Sequence, residues 1–209
     1  MPANRRDWPE GSSFYHYEKI YDRRNLGYRG TSLGLYRTPD QYVFYALQRD
    51  ELAKPHHQPV FAEIDTITSH FPWKEVPRIL PWGRLGDGTI FDRVRPHEFP
   101  RPGLFADSAT AKVAYGRSIQ YAMGSLISFV HHYRDKNLVM ILMGDHQPAT
   151  FVSGQGATHN VPVSIIAHDP KVMDQIAGWG WQDGLLPSPR APVWPMAGFR
   201  DRFFSAFSS

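Results

Sequence analysis

The sequence predicts an α/β chain built on a mostly parallel sheet flanked by helices, and three observations predict it. The stretch NLVMILMGDHQP (137–148) holds an unbroken apolar run, residues 138–143, that stops at Gly144. A short continuous apolar run between turn signals suits a strand buried on both faces, as strands of parallel sheets are. A second short apolar segment, VPVSIIA (161–167), follows it. The elements read in the order helix, strand, long loop, helix, strand, strand, helix, helix, the alternation that layers helices on a sheet.

In chain order, residues 1–13 read as a frayed or disordered start, and 14–36, rich in tyrosine, arginine and glycine, as irregular. Thr38-Pro39 marks a helix start, a capping hydroxyl followed by proline at the first helical position. Val43, Phe44, Leu47 and Leu52 keep helical spacing through Ala53, and Pro55 ends the helix. PVFAEIDTIT (59–68) alternates and is rich in β-formers, which predicts a strand running into Ser69 and His70. Residues 71–103 show little periodicity but carry Trp73, Trp82 and other rings, which predicts an ordered, irregular covering loop. Asp107 or Ser108 caps the strongest helix, whose apolar face is read as Val113, Gly116, Ile119, Met123, Leu126, Ile127 and Val130, ending at Tyr133. After the two apolar strands, Pro170 starts a short helix that stops near Gly178. At the end, Met196, Phe199, Phe203 and Phe207 share one stripe. Arg200, Asp201 and Arg202 interrupt it, so 196–207 reads as a docking helix rather than a membrane anchor.

Composition narrows the function classes. The 209 residues are enough to bury a real core. A net charge of +3, with its basic residues scattered, argues against nucleic acid as a partner. Without cysteine, disulfides and thiolate metal sites are excluded. No stretch approaches the ~20 apolar residues of a membrane span, and MPANRRDWPE lacks the apolar segment of an export signal.

Candidate chemistry gathers at the end of the central apolar run. Asp145 and His146 follow Gly144, and the carboxyl ends of strands are where ligands collect in open α/β sheets. Carboxylate oxygen and imidazole nitrogen suit Zn²⁺, and carboxylate also suits Mn²⁺ or Mg²⁺. The plain alternative is a polar loop in which Asp145 caps a turn and His146 is solvated. His159 precedes the segment 161–167, and His70 ends the segment 59–68. With neighbouring strands, three imidazoles and a carboxylate meet in one crevice. Otherwise His159 is a loop residue and His70 a core histidine beside Phe71 and Trp73. Glu63 and Asp65 alternate on the same segment and read as a solvated strand face, the alternative being that one of them faces the crevice. His131 and His132 close a helix, where imidazolium suits the dipole. His56 and His57 lie in a proline-flanked loop. GRLGDG (83–88) does not stand between strand and helix, so it is not a phosphate loop. Ser69 lacks the elbow motif of a nucleophile.

LVMILMGDHQP followed by THNVPVSIIAHDP resembles the C-terminal half of the sulfatase branch of the alkaline phosphatase superfamily, where an apolar strand ends in Gly-Asp-His. EIDTITSHFPW is similar to the His-x-Pro-aromatic segment of lipoteichoic acid synthases and phosphoethanolamine transferases. The tyrosine-rich start and the TPDQ helix follow the order of those envelope enzymes, and the end of the chain is similar to actinobacterial membrane sulfatase-like proteins. The resemblance implies an alkaline-phosphatase-like fold, of which residues 14–209 are the C-terminal part. It implies that Asp145, His146 and His159 bind a divalent metal (Zn, Mn or Mg), and that His70 binds substrate phosphate or a second metal; His159 is open to either of those roles too. A metal-activated threonine, serine or formylglycine attacks a phosphate or sulfate ester in that family. No residue before His70 reads as the family's first strand and nucleophile turn, so the nucleophile is expected outside this chain.

The resulting expectation is part of a metal-dependent hydrolase or phosphotransferase, acting on phosphate or sulfate esters that include lipid-linked ones. By resemblance it works on the outer face of the cytoplasmic membrane, with membrane association only through segments absent from this chain. The alternatives are a non-catalytic metal- or anion-binding module, or a degenerate remnant.

Overall fold

The computed structural model describes residues 14–32, 38–71, 73, 76–93 and 108–208. The expected frayed start, the capping Asp107 and the later part of the covering loop lie outside them. Two units are distinguished, Met1–Tyr133 and Arg134–Ser209.

The first unit is organised by two helices. Pro39 presets the turn into α1 (Asp40–Leu47), but no side chain caps that helix, and the Thr38 hydroxyl lies buried without a partner. One wider, π-helical turn (Gln48–Leu52) continues it. Tyr42, Phe44 and Ala46 face inward. They meet α2 (Ser108–Tyr133), whose buried positions are Ala111, Ala114, Ser118, Tyr121, Ser125, Leu126 and Phe129. The sequence expectation of an apolar face through Val113 and Ile127 is therefore corrected: these are 54% and 42% exposed. The buried stripe is lined by small residues, which let aromatic side chains of the neighbouring helix approach closely. Phe44 stacks on Phe129 with ring centroids 5.5 Å apart.

The described part of the irregular segment covers this helix pair. Trp82, Leu85 and Phe91 are buried, and the Trp82 indole donates to Ser128 Oγ at 2.9 Å. Gln41 fixes the cover from below, its amide nitrogen donating to Leu80 O (2.7 Å) and its oxygen accepting from Leu80 N (3.0 Å). Gly88 closes the cover at φ +89°, where a Cβ would stand 2.3 Å from the Tyr28 ring. Ahead of α1, Arg49 reaches Leu26 O and the Tyr42 hydroxyl, each at 3.0 Å, and pins the incoming chain.

The second unit carries β1 (Val139–Met143) and β2 (Val163–Ala167), which pair antiparallel from Val139↔Ala167 to Met143↔Val163. This overturns the expected mostly parallel, alkaline-phosphatase-like sheet: among the described residues the sheet has two strands. The physical reasons are visible. The connection between the strands holds one helical turn, α3 (Thr150–Ser153), with glycines at positive φ after it. The chain thus returns to the end it left, whereas a parallel neighbour needs a crossover to the opposite end. β1 is half-exposed along its length rather than buried on both faces. The expected strand 59–68 is not formed either: residues 59–67 belong to no helix or strand, and Phe61 projects into solvent.

After β2, Asp169 caps α4 (Pro170–Gln175) by accepting from Lys171 N at 2.9 Å. Ile165 and Ile176 are the buried side chains here. α5 (Met196–Phe207) lays Phe199 on a tryptophan cluster of Trp179, Trp181 and Trp194. Arg202 stacks over Trp194 at 4.4 Å. Among the described residues, no helix is long and apolar enough to cross a membrane.

Candidate functional site

In the second unit, antiparallel pairing places the end of β1 beside the start of β2. Gly144 N donates to Pro162 O at 3.3 Å and prolongs the ladder by one bond. A Cβ on Gly144 would stand 3.4 Å from Val161, so the small residue keeps the two chains close. The next two residues turn outward into solvent, Asp145 with 85% and His146 with 70% of the side chain exposed.

The pair is held locally. His146 N donates to Asp145 Oδ1 at 2.9 Å. His146 Nδ1 lies 2.7 Å from Gln147 O, and since a carbonyl only accepts, this nitrogen carries the proton. The other ring nitrogen, Nε2, lies 3.4 Å from Asp145 Oδ2, within reach of an ion pair when the ring is protonated. A metal-bound histidine commonly has this arrangement, one ring N–H given to a carbonyl and the other nitrogen left for the ion. It is a local contact, however, and His57 makes the same one to Gln58 O in its proline-flanked loop. The distinguishing feature at His146 is the carboxylate.

His159 is exposed on the irregular segment leading into β2. The Gln147 amide donates to Asn160 O, so the segments bearing His146 and His159 are tied together. Among the described residues, however, no three His, Asp or Glu side chains gather closely enough to hold a metal ion. Asp145 and His146 are brought together, and His159 does not complete a trio with them.

His70 belongs to the first unit and is exposed, not the core histidine of the plain reading. Its turn is closed by His70 N donating to Ile67 O at 3.0 Å. Two buried groups hold the turn. Asp40 Oδ1 accepts from Ile67 N (3.1 Å) and Thr68 N (3.2 Å), and the Trp73 indole donates to Ser69 O at 2.8 Å. His70 Nδ1 likewise sits 2.5 Å from a carbonyl, Phe71 O. Glu63 is exposed and accepts from the Tyr17 hydroxyl.

Sequence reasoning missed Asp40. An acid in a first helical turn reads as a surface residue that suits the dipole, yet Asp40 is fully buried. Burial, partly offset by the Ile67 and Thr68 hydrogen bonds, pushes its carboxyl up to about 6. The nearby TIT run gave no sign that its amides bind a side chain rather than a strand.

Comparison of this chain with protein-family models, with curated proteins and with solved structures finds no match in any of the three.

Proposed function

We propose that this chain is part of a metal-dependent, sulfatase-like enzyme that hydrolyses or transfers phosphate or sulfate esters, including phospho-alcohol groups of the cell envelope. Asp145 and His146 are two ligands of the divalent ion, and His159 is the nearest candidate for a third. His70 takes substrate phosphate or a second ion. One observation supports the reading: Asp145 Oδ2 and His146 Nε2 face each other 3.4 Å apart, with His146 Nδ1 turned to Gln147 O. A cation, a proton or a metal ion, fits between or beside them. The donor set, one carboxylate and one imidazole, fits half of a Zn²⁺ or Mn²⁺ site.

When bound, a divalent ion supplies Lewis-acid stabilisation to the ester oxygens and lowers the pKa of the attacking hydroxyl. The residues of this chain do the remainder. Gln147 O fixes the tautomer of His146, and the Gln147 side chain holds the His159 segment beside it. No residue of this chain is assigned as the nucleophile.

A second reading, a non-catalytic metal- or anion-binding module, keeps the same pair, Asp145 and His146, without a nucleophile. It predicts metal uptake without ester turnover.

The test is metal content by mass spectrometry of the purified protein beside Asp145→Ala and His132→Ala. A near-stoichiometric divalent ion is expected in wild type and in His132→Ala, and its loss in Asp145→Ala. Equal metal content in all three proteins refutes the site.

A further inference from the structure

A fully buried carboxylate is costly unless something uses its charge. Among the described residues, Asp40 has no basic partner to explain it. The groups that act on it are the amides of Ile67 and Thr68 and the Thr68 hydroxyl, and no lysine, arginine or histidine is among them. Its other oxygen, Oδ2, is buried without a hydrogen bond. The titratable group facing it from α2 is Tyr121, whose hydroxyl feels the Asp40 charge, with Tyr28 acting on Tyr121 in turn. The Thr38 hydroxyl is likewise buried and unpartnered, and the Tyr121 and Ser125 hydroxyls lie buried beside each other. Asp40 is the first residue of α1, after Pro39, and no side chain caps that helix, so its carboxylate is not explained as a cap. It does add one thing: an ionised oxygen accepts two N–H groups at once, through hydrogen bonds about twice as strong as neutral ones.

The two amides it accepts from lie immediately before the exposed imidazole. The turn is gripped on one side by Asp40 and on the other by Trp73, whose ring is buried and packs against Tyr115 of α2 with centroids 5.1 Å apart. An exposed histidine would ordinarily sample several loop conformations. This one stands on a turn whose backbone is bound to the core at Ile67, Thr68 and Ser69. Preorganisation of that kind is what a ligand-binding imidazole needs and a solvated one does not.

We propose that Asp40 is a positioning residue for His70: its buried carboxylate clamps the Ile67–Thr68 backbone so that the imidazole is held ready for an anionic oxygen or a metal ion. The inference rests on the reading of His70 as a ligand-binding residue, and deepens it by assigning the group that sets its place.

The test uses the full chain with labelled histidine, comparing wild type with Asp40→Asn and Asp40→Ala near neutral pH. Amide hydrogen exchange is read at Ile67 and Thr68, ring resonances at His70, and inorganic phosphate is the probe. In Asp40→Ala the two amides are expected to exchange about tenfold faster or more, the scale of a lost hydrogen bond to a charged group. The His70 resonances move, and their response to phosphate weakens. Asp40→Asn restores part of each effect, because an amide oxygen still accepts. A merely structural role would instead speed exchange throughout α1 and α2, with no selective rescue. The proposal is overturned if Ile67 and Thr68 exchange no faster than the helix amides, or if His70 keeps its wild-type resonances in Asp40→Ala. Should Asp40→Ala fail to fold, Asp40→Asn decides by the same selectivity. If phosphate leaves wild-type His70 unmoved, the ligand role of His70 fails, while amide exchange and ring resonances still decide the clamp.

Discussion

Replacing Asp40 by asparagine has a calculable effect on stability, and its pH dependence is the quantity to measure. Burial holds the Asp40 carboxyl at about 6, against 3.8 for a solvated one. The folded chain therefore binds this proton more tightly than the unfolded chain does. Its stabilising share is full below about pH 4 and is lost as the pH rises through about 6. At 1.36 kcal/mol for each tenfold, the loss is about 3 kcal/mol. Asparagine has no charge to desolvate, so the stability of the variant minus that of wild type should climb by about 3 kcal/mol from roughly pH 4 to pH 7. The Ile67 and Thr68 hydrogen bonds that favour the ionised form are already contained in that value, so replacing a neutral carboxyl by an amide adds only an offset independent of pH. The slope, not the intercept, carries the test. Urea unfolding followed by far-ultraviolet circular dichroism suits it, since α2, the 26-residue helix of the same unit, dominates that signal. A difference that stays flat across the range, or that grows toward acid, refutes the buried ionisable Asp40.

Other outcomes follow from the same structure. His70→Ala should weaken phosphate binding in a calorimetric titration while changing unfolding free energy by no more than about 0.5 kcal/mol, because the ring is exposed and its turn is held by other groups. Phe129→Ala should cost about 3–5 kcal/mol in urea unfolding, since this buried ring meets Phe44, Trp82 and Tyr133 at once. Gly88→Ala should destabilise by at least about 2 kcal/mol, as the new Cβ meets both an unfavourable φ and the Tyr28 ring; a thermal scan showing no loss would contradict the closure described here.

Much of the local structure was legible from residue order alone. The helix end at Tyr133 and the strand Val139–Met143 before Gly144 fall close to where the residue order puts them. Partner choice was not legible. An apolar run such as LVMILM reports that a strand wants cover but says nothing of the direction of its neighbour, and here the connection through α3 sends the chain straight back. Helix facing failed for a related reason. Hydropathy gives weight to Val113 and Ile127, whereas the buried positions include Ala111, Ala114, Ser118 and Ser125, whose value lies in being small. In the candidate site, the adjacency of Asp145 and His146 guaranteed their meeting, but a third ligand depends on long-range register that no local pattern encodes. Asp40 left no trace at all, because its burial is decided by α2 and by the 67–68 backbone.

The tryptophan cluster under α5 gives the second unit an optical signature of its own. Trp179, Trp181 and Trp194 hold their indole rings within 5.6 Å of one another at large angles. Transition dipoles so close and so inclined couple, and should produce a paired positive and negative band in the circular dichroism of the indole absorption. Trp73 and Trp82, buried singly in the first unit, should instead emit at short wavelength. Light therefore separates the two halves of this chain without any label, and the disappearance of each signal dates the loosening of its own half.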